Sequence, residues 1–224
     1  MKTFVSALTI VVLACATPPE APKQTATTAP AAKPAPIIPT CVDAPNRLCP
    51  HDEASADPSF LQFRDRMLEA VAQKDEAKLK TFLDPKIRTS FGDGGGIASF
   101  KPKWDELDSI LKLGGSFRGA DSFWTPYVYA SWPEAIDAFT HVAAIRSGVP
   151  LHDKASEDAA IVTRVDWEIL EVNPQKDAAW FHVRTSEGRK GWVAAADVRS
   201  PIGLRASFSK QSGQWKMNAL VAGD

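Results

Sequence analysis

Trp180-Phe181-His182-Val183-Arg184-Thr185-Ser186-Glu187-Gly188-Arg189-Lys190-Gly191-Trp192-Val193 is the stretch on which the fold of this chain turns. Two short runs flank a polar turn that carries two glycines, Gly188 and Gly191, which is the pattern of a tight β-hairpin. Val183 and Val193 take the inward positions of the two strands. Trp180 and Trp192 bring large aromatic surfaces to the same hairpin. Upstream the apolar runs are equally short: Val142 to Ile145, Ala160 to Val162, and Val165 to Val172. From Phe139 to Arg199 the chain therefore reads as a series of short strands.

Trp180, Val183, Gly188, Gly191, Trp192 and Val193 together form W-x-x-V…G-x-x-G-W-V, and this segment resembles a bacterial SH3-like domain. Ile145-Arg146-Ser147-Gly148 resembles that family's opening, while Ala144 and Val149 depart from it. The polar stretch Lys154 to Ala159 corresponds to its loop, and Val165 to Val172 to a central strand. The resemblance implies a small β-barrel over 139–199. Its open end would be covered by Trp180 and Trp192, with Trp167 completing a shallow aromatic surface for ligand. It also implies binding of peptide parts of the cell wall, or a spacer role.

Beyond the barrel, Leu204 to Ser209 alternates strictly, turns at Gln211-Ser212-Gly213, and returns through Trp215, Met217, Ala219 and Val221 as a C-terminal β-hairpin. Upstream, Asp57-Pro58 opens a helix, and Phe60, Phe63, Met67 and Val71 recur at helical spacing. A shorter helix runs from Glu76 to Leu83 and stops at Asp84-Pro85, Ile87 to Phe91 suits a strand, and Phe100 to Leu111 is a further helix. Gly92 to Gly96 is a sharp loop without phosphate-loop spacing. This helical, mixed N-terminal part weakly resembles the α+β cone fold of the nuclear-transport-factor type. The expectation is an α+β chain in four parts: a signal peptide at 1–14, a tether at 15–54, an α+β domain at 55–138 completed by hairpin 200–224, and the SH3-like unit at 139–199.

The N-terminus bears on location. Lys2 precedes an apolar run, Phe4 to Ala14, that is too short to span a bilayer and reads as a secretory signal. Val12-Leu13-Ala14-Cys15 resembles a bacterial lipobox, which implies lipidation of Cys15; cleavage after Ala16 would give a secreted form instead. Residues 17–40, rich in Ala, Pro and Thr, suit an extended tether between anchor and domain. The chain has three cysteines. With Cys15 lipidated, Cys41 and Cys49 remain as an even pair for a disulfide in an oxidising compartment. A metal site using Cys41, Cys49 and His51 has neither close C-x-x-C spacing nor a fourth ligand.

Composition narrows function further. Removing residues 1–14 takes away Lys2 and leaves 25 basic against 27 acidic residues, a net charge near −2, so nucleic acid is not an expected partner. A hydrophobic share of 44% and seven Trp call for a packed core. No cysteine follows Cys49, and His-Glu-x-x-His and Gly-x-Ser-x-Gly are both missing. His141, His152 and His182 lack metal-ligand spacing. The reading is a non-catalytic lipoprotein of the cell envelope, facing the periplasm, without cofactor or metal. It would bind cell-wall peptide or an envelope protein through Trp167, Trp180 and Trp192. Two alternatives stand beside it: a small-molecule or enzymatic site inside the cone-like domain, and a structural subunit of an envelope complex.

Overall fold

The computed structural model describes residues 40–92, 95–172 and 178–223. Cys15, the signal, the tether up to Pro39 and part of the Gly92–Gly96 loop lie outside the described residues. Helix α1 (Pro58–Ala72) forms as its sequence dictates: the Asp57 carboxylate accepts hydrogen bonds from the backbone N–H groups of Ser59 and Phe60, with Pro58 in the first turn. Its stripe of Phe60, Phe63, Met67, Ala70 and Val71 is buried. After it come α2 (Glu76–Lys80), β1 (Leu83–Arg88), α3 (Trp104–Lys112), β2 (Ser116–Phe117), β3 (Ser122–Thr125) and α4 (Tyr127–Ala130). Strand β1 runs through Asp84-Pro85, where the sequence suggested a stop. It is an edge strand, where a missing N–H costs no ladder bond.

Seven strands follow: β4 (His141–Ala144), β5 (Val149–His152), β6 (Ile161–Val165), β7 (Ile169–Val172), β8 (Trp180–Arg184), β9 (Lys190–Ala194) and β10 (Val198–Arg199). The C-terminal hairpin is β11 (Arg205–Gln211) and β12 (Gln214–Val221). Its strands join the first half of the chain. The five-stranded sheet has the order β1-β12-β11-β3-β2, with β1 parallel to β12 and the other pairs antiparallel. Thr125 and Ala206 are ladder partners, so everything between them is an excursion from one sheet. Helices α1 and α3 cover that sheet through a ring-rich core in which Phe60 lies 4.2 Å from Phe123 and 4.9 Å from Trp215.

The excursion builds a second sheet, ordered β10-β4-β7-β8-β9-β5-β6. Its buried cluster draws on all seven strands and on no other element, from Val142 and Leu151 through Val183 and Val193 to Val198. Only a sheet curled about its own inner face can bury side chains in that way. The curl stops short of a ring. Edge strands β10 and β6 are not hydrogen-bonded to one another, so among the described residues this is an open curled sheet and not the closed barrel expected from sequence. The single central strand expected over 165–172 is also corrected. The chain breaks at Asp166-Trp167-Glu168, where Trp167 adopts φ of 50°, and two strands result, β6 before the break and β7 after it.

A strap of residues 40–53 ties the two sheets together. Cys41 and Cys49 are joined by a disulfide. Within the loop they close, Leu48 N–H donates to the Trp167 carbonyl and Ile169 N–H to the Asn46 carbonyl, extending the curled sheet. Further along, Glu53 N–H donates to the Gly115 carbonyl beside β2. Beneath the strap a third cluster of Leu48, Tyr127, Val128, Ala143 and Ile169 is buried, with Trp132 and Ile136 packed against it.

Candidate functional site

Strand pleat sorts the curled sheet's side chains into two faces. On β8, Phe181 and Val183 turn inward and Trp180, His182 and Arg184 outward; on β9, Gly191 and Val193 turn inward and Lys190, Trp192 and Ala194 outward. Register then aligns outward residues across neighbouring strands. His182 faces Trp192, Trp192 faces His152, and His152 faces Ile161. These pairs make one row of His182, Trp192, His152 and Ile161 across β8, β9, β5 and β6. Two residues along the strands a second row appears, in which His141 faces Glu171, Glu171 faces Arg184, and Arg184 faces Lys190. The first row is aromatic and apolar, the second charged. They lie about 7 Å apart, the length of two strand residues.

The aromatic row is held by ring contacts. His182 and Trp192 have centroids 5.2 Å apart. Trp180 meets His152 edge-on at 5.5 Å, so it joins the row at its flank. His152 is only 6% exposed, and its Nδ1 donates to the Ala159 carbonyl at 2.9 Å, which leaves Nε2 as acceptor in the neutral ring. In the charged row Arg184 and Glu171 form an ion pair on the surface. A groove of about 430 Å³ runs beside them, reaching Thr140, His182 and Lys190. A depression of about 310 Å³ shares Glu171 and Arg184 and continues toward His141 and Ser186. The outward face thus has a covered end, where Ala143 and Ile169 lie under the strap and α4, and an open end that carries both rows.

Of the three tryptophans expected at a ligand surface, the structure brings together two. Trp180 and Trp192 share the open outward face, each half-buried. Trp167 does not belong with them. It is 6% exposed, and its backbone is bound on one side to Arg146 and on the other to Leu48 of the strap. The break between β6 and β7 takes it out of the strand pleat that would have aimed it at the ligand face. His141, His152 and His182, read from sequence as structural or surface histidines, all lie on these rows. Their membership depends on which strands become neighbours, a long-range fact that spacing along the chain does not encode.

Other candidate chemistry resolves into structure. Cys41 and Cys49 bond to each other, and His51 turns its Nε2 to the hydroxyls of Ser116 at 2.6 Å and Ser131 at 2.9 Å, linking strap to host sheet. The interior between α1 and the five-stranded sheet, where a cone could hold a small molecule, is filled by Phe60, Phe63, Phe123, Phe208 and Met67. No group of three or more metal-ligating side chains is gathered among the described residues.

No protein-family model and no curated protein matches this chain. Among solved structures it is similar to an NTF2-like protein of unknown function from Pseudomonas putida, at 10% identity and TM-score 0.28, covering 76% of this chain and 87% of the other. A chain described as a calcium/calmodulin-dependent protein kinase II association domain, from Xanthomonas campestris, is 12% identical at TM-score 0.25, covering 78% and 96%. A five-substitution variant of a chain called Rd1NTF2 is 14% identical at TM-score 0.26, covering 72% and 93%. The neighbours are thus NTF2-like, and at these scores the likeness bears on neither site nor function.

Proposed function

We propose that this chain is an exported envelope protein, lipidated at Cys15, that acts by contact: it binds peptide of the cell wall, or an envelope protein, on the outward face of the curled sheet. The observation that carries this reading is the pair of parallel rows, one aromatic (His182, Trp192, His152, flanked by Trp180) and one charged (His141, Glu171, Arg184, Lys190). A wall peptide combines free amine and carboxylate groups with small apolar side chains. Glu171 suits an amine, while Arg184 and Lys190 suit a carboxylate, Arg184 through a bidentate fork. The tryptophans supply a rigid surface for the apolar parts, at small entropic cost because each has only two rotatable bonds. In the SH3-like resemblance, the same hairpin carries the family signature. The reading is tested by retention of the purified protein on isolated cell wall at low salt. Trp192→Ala and Arg184→Ala should each weaken retention while leaving the circular dichroism spectrum unchanged. A wild-type protein that flows through, or variants that bind equally well, would refute it.

A further inference from the structure

We infer that the free edge of β6 pairs antiparallel with β6 of a second copy of this chain, about a twofold axis at Val162. Among the described residues strand β6 has β5 as its one neighbour, so its other edge presents unpaired N–H and C=O groups. A bulge sits in that pairing: Leu151 faces Thr163 and His152 faces Ile161, which leaves Val162 as an extra residue without a cross-strand partner. Two consecutive apolar side chains are left in water, Ile161 at 46% and Val162 at 43% exposure. Burying them against a second copy removes apolar surface from water.

Charge selects the occupant and its direction. Arg164, near the C-terminal end of β6, is exposed; its guanidinium donates to the Gly148 carbonyl, and among the described residues it pairs with no carboxylate. The loop that enters β6 carries Asp153, Glu157 and Asp158 against one Lys154. Antiparallel pairing at Val162 sets Ile161 against Thr163 and Ala160 against Arg164 of the other copy. Arg164 then lies toward the copy's acidic entry loop, which holds Asp158. Parallel pairing would set like charge beside like charge. A bulge turns an edge away from a straight strand, whereas a copy with the same bulge at the twofold meets it with matching shape. A twofold perpendicular to the sheet keeps both outward faces on one side. The two ligand rows, one per copy, therefore lie on the same side of the dimer. That consequence rests on the proposed binding role; the pairing itself does not.

The test uses the whole protein. Wild type should sediment as a dimer and Val162→Lys, which places two ammonium groups together at the axis, as a monomer with an unchanged circular dichroism spectrum. Val162→Cys should form a self-cross-linked dimer under mild oxidation, and Phe139→Cys, at a position 52% exposed elsewhere, should not. Arg164→Asp should weaken the dimer, and adding Asp158→Arg should restore it. A monomeric wild type, or a dimer that Val162→Lys leaves intact, overturns the inference. Wall retention of the Val162→Lys monomer separates this outcome from failure of the binding role, since one copy still carries one complete row.

Discussion

At the scale of single residues, Asp57 and Tyr127 show opposite treatments of a polar group. The Asp57 carboxylate caps α1, and the hydroxyl of Ser59, with Lys210 and two backbone N–H groups, holds its pKa far below the usual carboxylate range. A depressed folded pKa contributes stability that is fully present above the unfolded value near 3.9 and is lost as pH falls through that value toward the folded one. Asp57→Ala should therefore cost about 1 kcal/mol at neutral pH, and less below pH ~4, in denaturant titrations at the two pH values. Asp57→Asn keeps the cap and should flatten the difference. Tyr127 is buried with its hydroxyl unpartnered among the described residues, and burial pushes its pKa up to about 12. Replacing it by Phe removes a desolvated donor without opening a cavity. Tyr127→Phe should thus raise stability by on the order of 1 kcal/mol, seen as a higher denaturant midpoint at unchanged slope.

Among the elements, the β8–β9 hairpin was legible in the sequence, although its two glycines play different parts. Gly188 takes positive φ in the turn. Gly191 serves a crossing: a Cβ there would stand 3.0 Å from the His152 carbonyl and from the Leu151 side chain, where β9 passes β5. Gly191→Val should push β9 off β5, break the alignment of Trp192 with His152, and weaken wall retention along with stability. Helix α1 was readable for a local reason, since its cap and its apolar stripe both lie within fifteen residues. The break at Trp167 was not. The run from Val165 to Val172 is apolar enough for one strand, and what turns it is contact with the strap, more than a hundred residues earlier in the chain. The strap depends in turn on its disulfide, whose loop spans eight positions. Removing that bond by Cys41→Ser with Cys49→Ser should cost about 2–3 kcal/mol in the chain-entropy view and raise exchange at the Leu48 and Ile169 amides.

For the molecule as a whole, the division of the core matters. Two clusters serve the two sheets, and the third joins the strap and α4, which directly follows β3 of the first sheet, to β4 and β7 of the second. Local pattern foretold the mixture of helices and strands. The partners of the C-terminal hairpin could only be guessed at, because β11 and β3 are some eighty residues apart and β-pairing at that distance leaves no periodic mark. The shared cluster should make the two sheets melt together. Ile169→Ala, at a buried position of that cluster, should cost about 2–4 kcal/mol and split a single thermal transition into two by calorimetry.

Thr125 and Ala206, as ladder partners, lie about 5 Å apart, so the intervening polypeptide departs and returns through a single doorway. A stretch with neighbouring exit and entry points can be gained or excised without disturbing the strands that flank it. The host scaffold thus resembles a socket. Relatives sharing its helices and five strands are expected to carry there a bare turn or a differently shaped cassette, exchanged while the frame stays constant.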